Sequence, residues 1–321
     1  MSPSVDEAMA DDRPAKQTVR SAWMDHLESA KDRLGNHAPL YLTLCGASGT
    51  DVLLAAKRGI IRLSEVGGIH EDDLNQVVAV ERSLRAVGAL QTKIPGLNIR
   101  IANFPELLQG NNPTAWPGPD DSRFCRAKVV NLDLNGKYES SLGSTGIFFP
   151  IATWVNKLAM LHSQETAIDW TLFLTVNSRC EWDNETWGYA QNVLRHNMEN
   201  HQDFLDGIRS VCSESVVEAI SSETCVLEEM SDQDMQGMLI AFIPKTLCQS
   251  LPNGYVLNVR RSFAYGAEKS TTATMVSLIV EFQQKHDVLG LTDASYELSV
   301  ASIFSDVASI DQDGRCQTLT N

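Results

Sequence analysis

The stretch Tyr41-Leu-Thr-Leu-Cys-Gly-Ala-Ser-Gly-Thr-Asp51, followed by Val52-Leu-Leu-Ala-Ala-Lys-Arg-Gly59, decides how the chain reads. Tyr41 to Leu44 mixes apolar and β-branched side chains, the pattern of a buried strand. Gly46 and Gly49 break it, and an apolar run of helical character follows and stops at Gly59. Strand, glycine turn and helix make the opening unit of a doubly wound α/β sheet. Glycines let a ligand approach the backbone, and free N–H groups at a helix start favour a polar or anionic group. The turn reads G-x-x-G followed by Thr50-Asp51, not the G-x-G-x-x-G of dinucleotide-binding proteins. A tight strand-to-helix turn without a ligand would look the same locally, so the flanking chain must discriminate.

Upstream, Ala22, Trp23, Leu27, Ala30 and Leu34 recur every three or four residues, which predicts a helix over Thr18–Leu34 closed by Gly35-Asn36. Residues 1–16 are small, acidic and proline-containing and read as a disordered tail. Downstream, Gln76–Val80 predicts a second strand ending in Glu81, and Ser83–Leu90 a helix. An acidic residue at the end of the second strand suits a ribose, because a carboxylate can accept from both sugar hydroxyls. It also suits an ordinary helix N-terminus. Glu81 stands farther from the glycine turn than the usual ~20 residues, so Ile60–Asn75 must hold an extra turn or loop. A short strand runs from Asn98 to Asn103, Phe104–Leu108 starts a helix, and residues 109–122 read as a surface loop.

The fourth strand, Arg126–Leu132, runs into Asp133-Leu-Asn-Gly136. Polar residues at that end stand where open α/β sheets bind ligands, although Asn-Gly also favours a β-turn. Helix Ile151–Gln164, strand Trp170–Val176 with Asn177-Ser-Arg179 at its end, and helical stretches Glu185–Glu199, Phe204–Ser213, Ser215–Ile220 and Met235–Leu251 follow. Gly254–Tyr265 and Thr271–Phe282 are long β-rich runs about a polar turn, a hairpin. The last 30 or so residues look peripheral, helical over Ser295–Ala308 with a frayed tail.

Composition narrows the function classes. A content of 43% hydrophobic and 21% charged residues is ordinary for a soluble globular protein. No apolar run approaches the ~20 residues of a membrane helix, and Met1–Asp12 lacks the apolar region of a signal peptide. The expectation is a cytoplasmic protein without membrane contact. Seven cysteines at 45, 125, 180, 212, 225, 248 and 316 form no C-x-x-C pair, which argues against structural zinc or a disulfide framework. His196 and His201 lie five apart, off one helical face, and His70 and His162 add no metal spacing. A net charge of −15 disfavours an unaided grip on nucleic acid. Arg123, Arg126 and Lys128, and Arg260, Arg261 and Lys269, are the two short basic clusters.

Five β/α units and a closing hairpin resemble the class I S-adenosylmethionine-dependent methyltransferases, over about residues 38–285. The resemblance implies a Rossmann-like, doubly wound, mostly parallel sheet with a C-terminal antiparallel hairpin, whose last strand inserts beside its neighbour. It implies one methyltransferase-like domain over 17–285, with a helical insertion at about 185–251 and a peripheral segment 286–321. It implies S-adenosylmethionine as cofactor. Gly46, Ala47, Ser48 and Gly49 correspond to the glycine loop around its methionine and ribose. Glu81 matches the acid on the ribose hydroxyls, and Asn103 the polar residue at the adenine amino group. Asn131-Leu-Asp-Leu-Asn-Gly136 matches the substrate-facing motif, with Asn131 toward the cofactor and Asp133 and Asn135 as catalytic candidates. The usual acid before the first glycine is replaced by Cys45, for which Asp51 is the compensating candidate, and the prolines and aromatic of an Asp-Pro-Pro-Tyr motif are missing. Tyr138 is a candidate to stack on a planar acceptor. Absence of a Pro-Cys pair argues against cytosine C5 methylation. The implied acceptor is an amine, a nucleic-acid base by family analogy, with a protein partner supplying substrate contacts; the acidic balance points to a small molecule, a protein, or a nucleic acid held by a partner subunit. Two other readings stay open: a catalytically inactive scaffold of the same fold in a larger complex, and a nicotinamide-dependent oxidoreductase sharing the first unit and Glu81.

Overall fold

Helix α1 (Pro14–Lys31) buries Ala15, Val19, Ala22, Trp23, Met24, Leu27 and Ala30, one face at helical spacing. In this computed structural model, residues 14–32, 39–104, 125–137, 141–143, 146–163, 169–179, 182–224, 229–252, 254–266, 274–285 and 300–319 are described, with backbone alone within 135–148. The tail over 1–13, the helix after Phe104, the loop at 109–122, Tyr138 and the hairpin turn at 267–273 lie outside the described residues. Helix α1 starts inside the stretch expected to be tail, with Pro14 in the first turn, where its missing N–H costs no hydrogen bond.

The chain forms two compact units, Met1–Asp133 with Trp170–Phe173, and Leu134–Asp169 with Leu174–Asn321. In the first unit, β1 (Tyr41–Thr43) leads through the glycine turn into α2 (Thr50–Lys57), β2 (Val77–Val80) into α3 (Leu84–Lys93), and β3 (Asn98–Arg100) follows. Strands β1 and β2 are wholly buried, which is why they read as unbroken apolar runs rather than alternating ones. The extra structure between Ile60 and Asn75 is a Leu63–Ile69 bridge and a 3₁₀ turn at Glu71–Asp73. Strand β4 (Val129–Lys137) pairs parallel with β1 in the register Tyr41↔Val129 and Thr43↔Asn131. It continues through Asn135-Gly136 instead of turning there. Trp23 of α1 stacks on Phe173, with centroids 5.6 Å apart.

The second unit carries the small antiparallel pair β5 (Ser141–Gly143) and β6 (Gly146–Phe148), helix α4 (Pro150–Ser163) and the second half of β7 (Trp170–Asn177). Helices α5 (Asn184–Asn200), α6 (Gln202–Val211), α7 (Glu214–Ser221) and α8 (Asp232–Ser250) follow, then β8 (Tyr255–Gly266) and β9 (Thr274–Gln284), which pair antiparallel. Thr175 donates to the Ser277 hydroxyl and the Ser178 N–H to the Thr274 carbonyl, so β9 also runs antiparallel to β7. The C-terminal segment departs from the expected helix and frayed tail. Residues 300–303 are helical, but Val307–Ile310 forms β10, parallel to β8, and Cys316–Thr318 forms β11 on its other side. Val307, Ala308 and Ile310 are buried, and that burial outweighs the local helical pattern. Among the described residues, β5 and β6 form a sheet of their own and the other strands one mixed sheet in the order β3-β2-β1-β4-β7-β9-β8-β10-β11.

Candidate functional site

The chain direction across the sheet reverses between β1 and β4: β2 and β3 lie to one side of β1, and β4 to the other. Crevices at such reversals, beyond the C-terminal strand ends, are where open α/β sheets take ligands. Gly46 and Gly49 both adopt left-handed backbone, φ +57° and +62°. A Cβ built on Gly46 meets nothing within 4 Å, so the turn is open there. One on Gly49 would come within 2.9 Å of Ile94 Cδ1 and 3.0 Å of Leu90 Cδ2, both ends of flexible side chains, so the left-handed backbone is the stronger demand for glycine there. Gly49 caps α2 with no side-chain bond. Thr50, Asp51 and Val52 at the start of the helix are buried, and the first turn of a helix leaves backbone N–H groups without an intrahelical acceptor. Ala47 is exposed, Ser48 half-buried, and the Ser48 hydroxyl accepts from Thr50 at 2.9 Å.

Behind the turn lies a buried polar cluster. Asp51, 1% exposed, receives Arg20 Nε at 2.6 Å on Oδ1, and Asn131 Nδ2 at 3.0 Å and Thr43 Oγ1 at 3.3 Å on Oδ2. Asn131 Nδ2 also donates to the Tyr41 hydroxyl at 2.8 Å, while its Oδ1 is buried without a hydrogen-bond partner. Burial pushes the Asp51 carboxyl up, Arg20 pulls it down and Asp133 adds to the rise, leaving it above the ordinary value. Burial lowers Arg20, but Asp51 and Asp133 more than offset it, so the guanidinium is held above its ordinary value. Burial and Asp51 push the Tyr41 phenol and the Cys45 thiol upward. Asp51 is thus a deep anchor of the turn, and Cys45 a buried neutral thiol.

Asp133 lies at the rim. Lys16 Nζ sits 2.5 Å from its Oδ1, and Arg20 Nη2 3.7 Å from its Oδ2. Lys16 also lies 4.8 Å over the Trp23 ring. The Asn135 side chain lies outside the described residues. Glu81, half-buried at the end of β2, accepts from the Ser83 N–H at 2.8 Å, and Ser83 caps α3. Asn103 is exposed just beyond β3. The structure therefore gathers the glycine turn, Asp51, Asn131 and Asp133 at the β1–β4 reversal. Glu81 and Asn103 stand at the neighbouring strand ends.

Four participants were not anticipated. Lys16 and Arg20 come from α1, one turn apart, and their only sequence signal is that i, i+4 spacing on a helix otherwise apolar on this face. Leu84, 72% exposed, and Ile101, 37% exposed, stand beside Glu81 and Asn103. Exposed apolar residues in such a position need burial information to be noticed. Of the basic clusters, Arg260 is bound to Glu281 and Arg261 to Asp306. Among the described residues no group of His, Cys, Asp and Glu could hold a metal ion, and no helix is long and apolar enough to cross a membrane.

Neither protein-family models nor curated proteins match the chain.

Proposed function

We propose that the chain is an S-adenosylmethionine-dependent methyltransferase with a Rossmann-like core, acting on an amine. The observation that carries this reading is the placement of β9: antiparallel, between β7 and β8, in a sheet that reverses at β1 and β4 above an open glycine turn. The family resemblance implies an antiparallel strand inserted beside its neighbour, and β9 supports that reading, with β10 and β11 added beyond β8. The residues fit the cofactor. Gly46 leaves room for a ligand at the backbone, α2 offers unpaired N–H groups to a carboxylate, and Asn131 Oδ1 is a buried acceptor lacking a donor. Glu81 and Asn103 supply polar groups for a ribose and an adenine, with Leu84 and Ile101 as apolar walls for a flat base.

When bound, S-adenosylmethionine supplies a methyl group on a sulfonium. The chain's own residues then have little acid–base work to do; they orient the acceptor and exclude water. Asp133 accepts a hydrogen bond from the acceptor amine and stabilises the positive charge that grows on nitrogen. Arg20 holds Asp51 beneath the turn and lies within ion-pair reach of Asp133, keeping both carboxylates in register. The cations on Asp133 equally favour the scaffold reading, in which that carboxylate serves only to anchor α1.

Calorimetric titration with S-adenosylmethionine, S-adenosylhomocysteine and NAD tests the reading. Micromolar binding of the first two, weakened by Glu81→Ala, is expected. Binding of NAD alone would replace the proposal with an oxidoreductase.

A further inference from the structure

We propose that Lys16 is a site of self-methylation, its ε-amine occupying the acceptor position of the site. This rests on the methyltransferase reading above. Register places the amine. Thr43 pairs with Asn131 and the Leu44 N–H donates to the Asn131 carbonyl, so Asp133, two residues further along β4, runs past the end of β1. Arg20 reaches both the Asp51 and the Asp133 carboxylates, at 2.6 and 3.7 Å, which sets Asp133 beside the anchor of the glycine turn. The alkylamine already seated on that carboxylate is Lys16 Nζ, at 2.5 Å.

The seat is built rather than incidental. Ala15 and Val19 are buried on either side of Lys16 in sequence, and Trp23, one face of the seat, is clamped flat on Phe173. The Lys16 side chain keeps only 13% of its exposure. A carboxylate on one side and an indole face 4.8 Å away on the other suit an amine both before and after it gains methyl groups. Lys16 first loses one proton to water, and Asp133 then holds the neutral amine by accepting one of its N–H groups. Its lone pair then forms the N–C bond to the methyl carbon as the methyl's bond to the sulfonium sulfur breaks. The electron pair of that bond stays on sulfur, leaving a neutral thioether and Nε-methyllysine. Each methyl added removes an N–H that could donate to Asp133, and complete methylation leaves none, so the modification loosens the first turn of α1 from β4.

The test uses full-length protein, Lys16→Arg and Asp133→Asn. Peptide masses are read as isolated and after incubation with S-adenosylmethionine, and S-adenosylhomocysteine binding is measured separately by calorimetry. Methyl mass confined to Lys16, absent in Lys16→Arg, reduced at least about tenfold in Asp133→Asn and formed at a rate independent of protein concentration, is expected. Should Asp133→Asn fail to fold, wild type and Lys16→Arg decide alone. Binding of S-adenosylhomocysteine with no methyl on Lys16 overturns this inference and leaves the methyltransferase reading standing. Absence of both overturns the two together. A rate that rises with protein concentration overturns transfer within one molecule.

Discussion

Arg20 is the cation that makes a buried Asp51 tolerable. Removing one partner of a buried pair strands the other charge, typically at a cost of about 3–5 kcal/mol. Arg20→Met is therefore expected to lower the unfolding free energy by an amount in that range, read as a lower urea midpoint at unchanged slope. The pH dependence of the loss has a sign. Asp51 is already held above its ordinary 3.8 by burial, and losing Arg20 raises it further. A carboxyl raised in the folded state keeps its proton where the unfolded chain has lost it, so folding stability falls as pH rises from about 3.8 through the raised value. Urea midpoints of Arg20→Met followed from mildly acid to neutral pH should fall more steeply than wild type; parallel curves would contradict the pairing. Gly49 makes a different residue-scale case. An alanine there must hold left-handed backbone, at about 1–2 kcal/mol, and push aside Ile94 Cδ1 at 2.9 Å. Both Gly49→Ala and Gly46→Ala are expected to lower stability through the left-handed backbone, and Gly46→Ala, which meets no protein atom, should also weaken S-adenosylhomocysteine binding because its Cβ fills the room left for the ligand; thermal melting and calorimetry read the two effects separately.

At the scale of elements, α8 packs closely against the end of α6 at Gly237. A Cβ there would stand 2.4 Å from the Val211 carbonyl oxygen and 2.7 Å from Cys212 Sγ. Backbone cannot swing away as a side chain can, so Gly237→Ala should cost about 1–3 kcal/mol by overpacking. Because α8 and α6 lie in the second unit and the candidate cofactor residues in the first, affinity for S-adenosylhomocysteine should hold; calorimetry beside thermal melting checks both halves of that expectation. Which elements could be read from sequence follows from how locally they are determined. Strands β1, β2, β7, β8 and β9 announce themselves because buried strands need continuous apolar, β-branched runs. The long helices α1, α4, α5 and α8 declare themselves by length and spacing. By contrast, β10 is only four residues long and is a strand because it pairs with Ser262–Tyr265, a partner more than forty residues upstream in sequence. The site divides the same way. Gly46, Gly49, Asp51 and Glu81 follow strand ends, and Asn131 and Asp133 lie in β4 itself, so each stands out by its position in the order of strands. Lys16 and Arg20 do not, because their meaning is a contact with residues far along the chain, Asp51 and Asp133.

At the scale of the whole molecule, charge bears on the acceptor. A chain of net −15 repels a polyanion unless lysines and arginines are gathered to meet it, and Arg260 and Arg261 are already engaged with Glu281 and Asp306. The isolated protein is therefore expected to show no gel shift of single- or double-stranded nucleic acid at physiological salt; a salt-sensitive shift would return a base amine to the front as acceptor. Global stability carries a second signature, set by Lys245. This lysine is fully buried in α8, its ammonium 5.5 Å over the Phe204 ring, and burial lowers it from its ordinary 10.5 to about 7. The shift is downward for a base, so between those two values the unfolded chain binds a proton that the folded chain does not. Stability owed to this group therefore rises with pH across that window, with a limiting slope of about 1.4 kcal/mol per pH unit. Other groups, and the repulsion among the acidic residues, superimpose their own trends, so the comparison has to be made against a variant. Lys245→Met keeps the length and apolar stem of the side chain and deletes the titration. It is expected to be more stable than wild type at neutral pH, with the advantage shrinking as pH rises toward 10. Chemical denaturation of the two proteins across that range measures the difference directly, and an advantage that stays constant with pH would mean that Lys245 remains charged in the folded state.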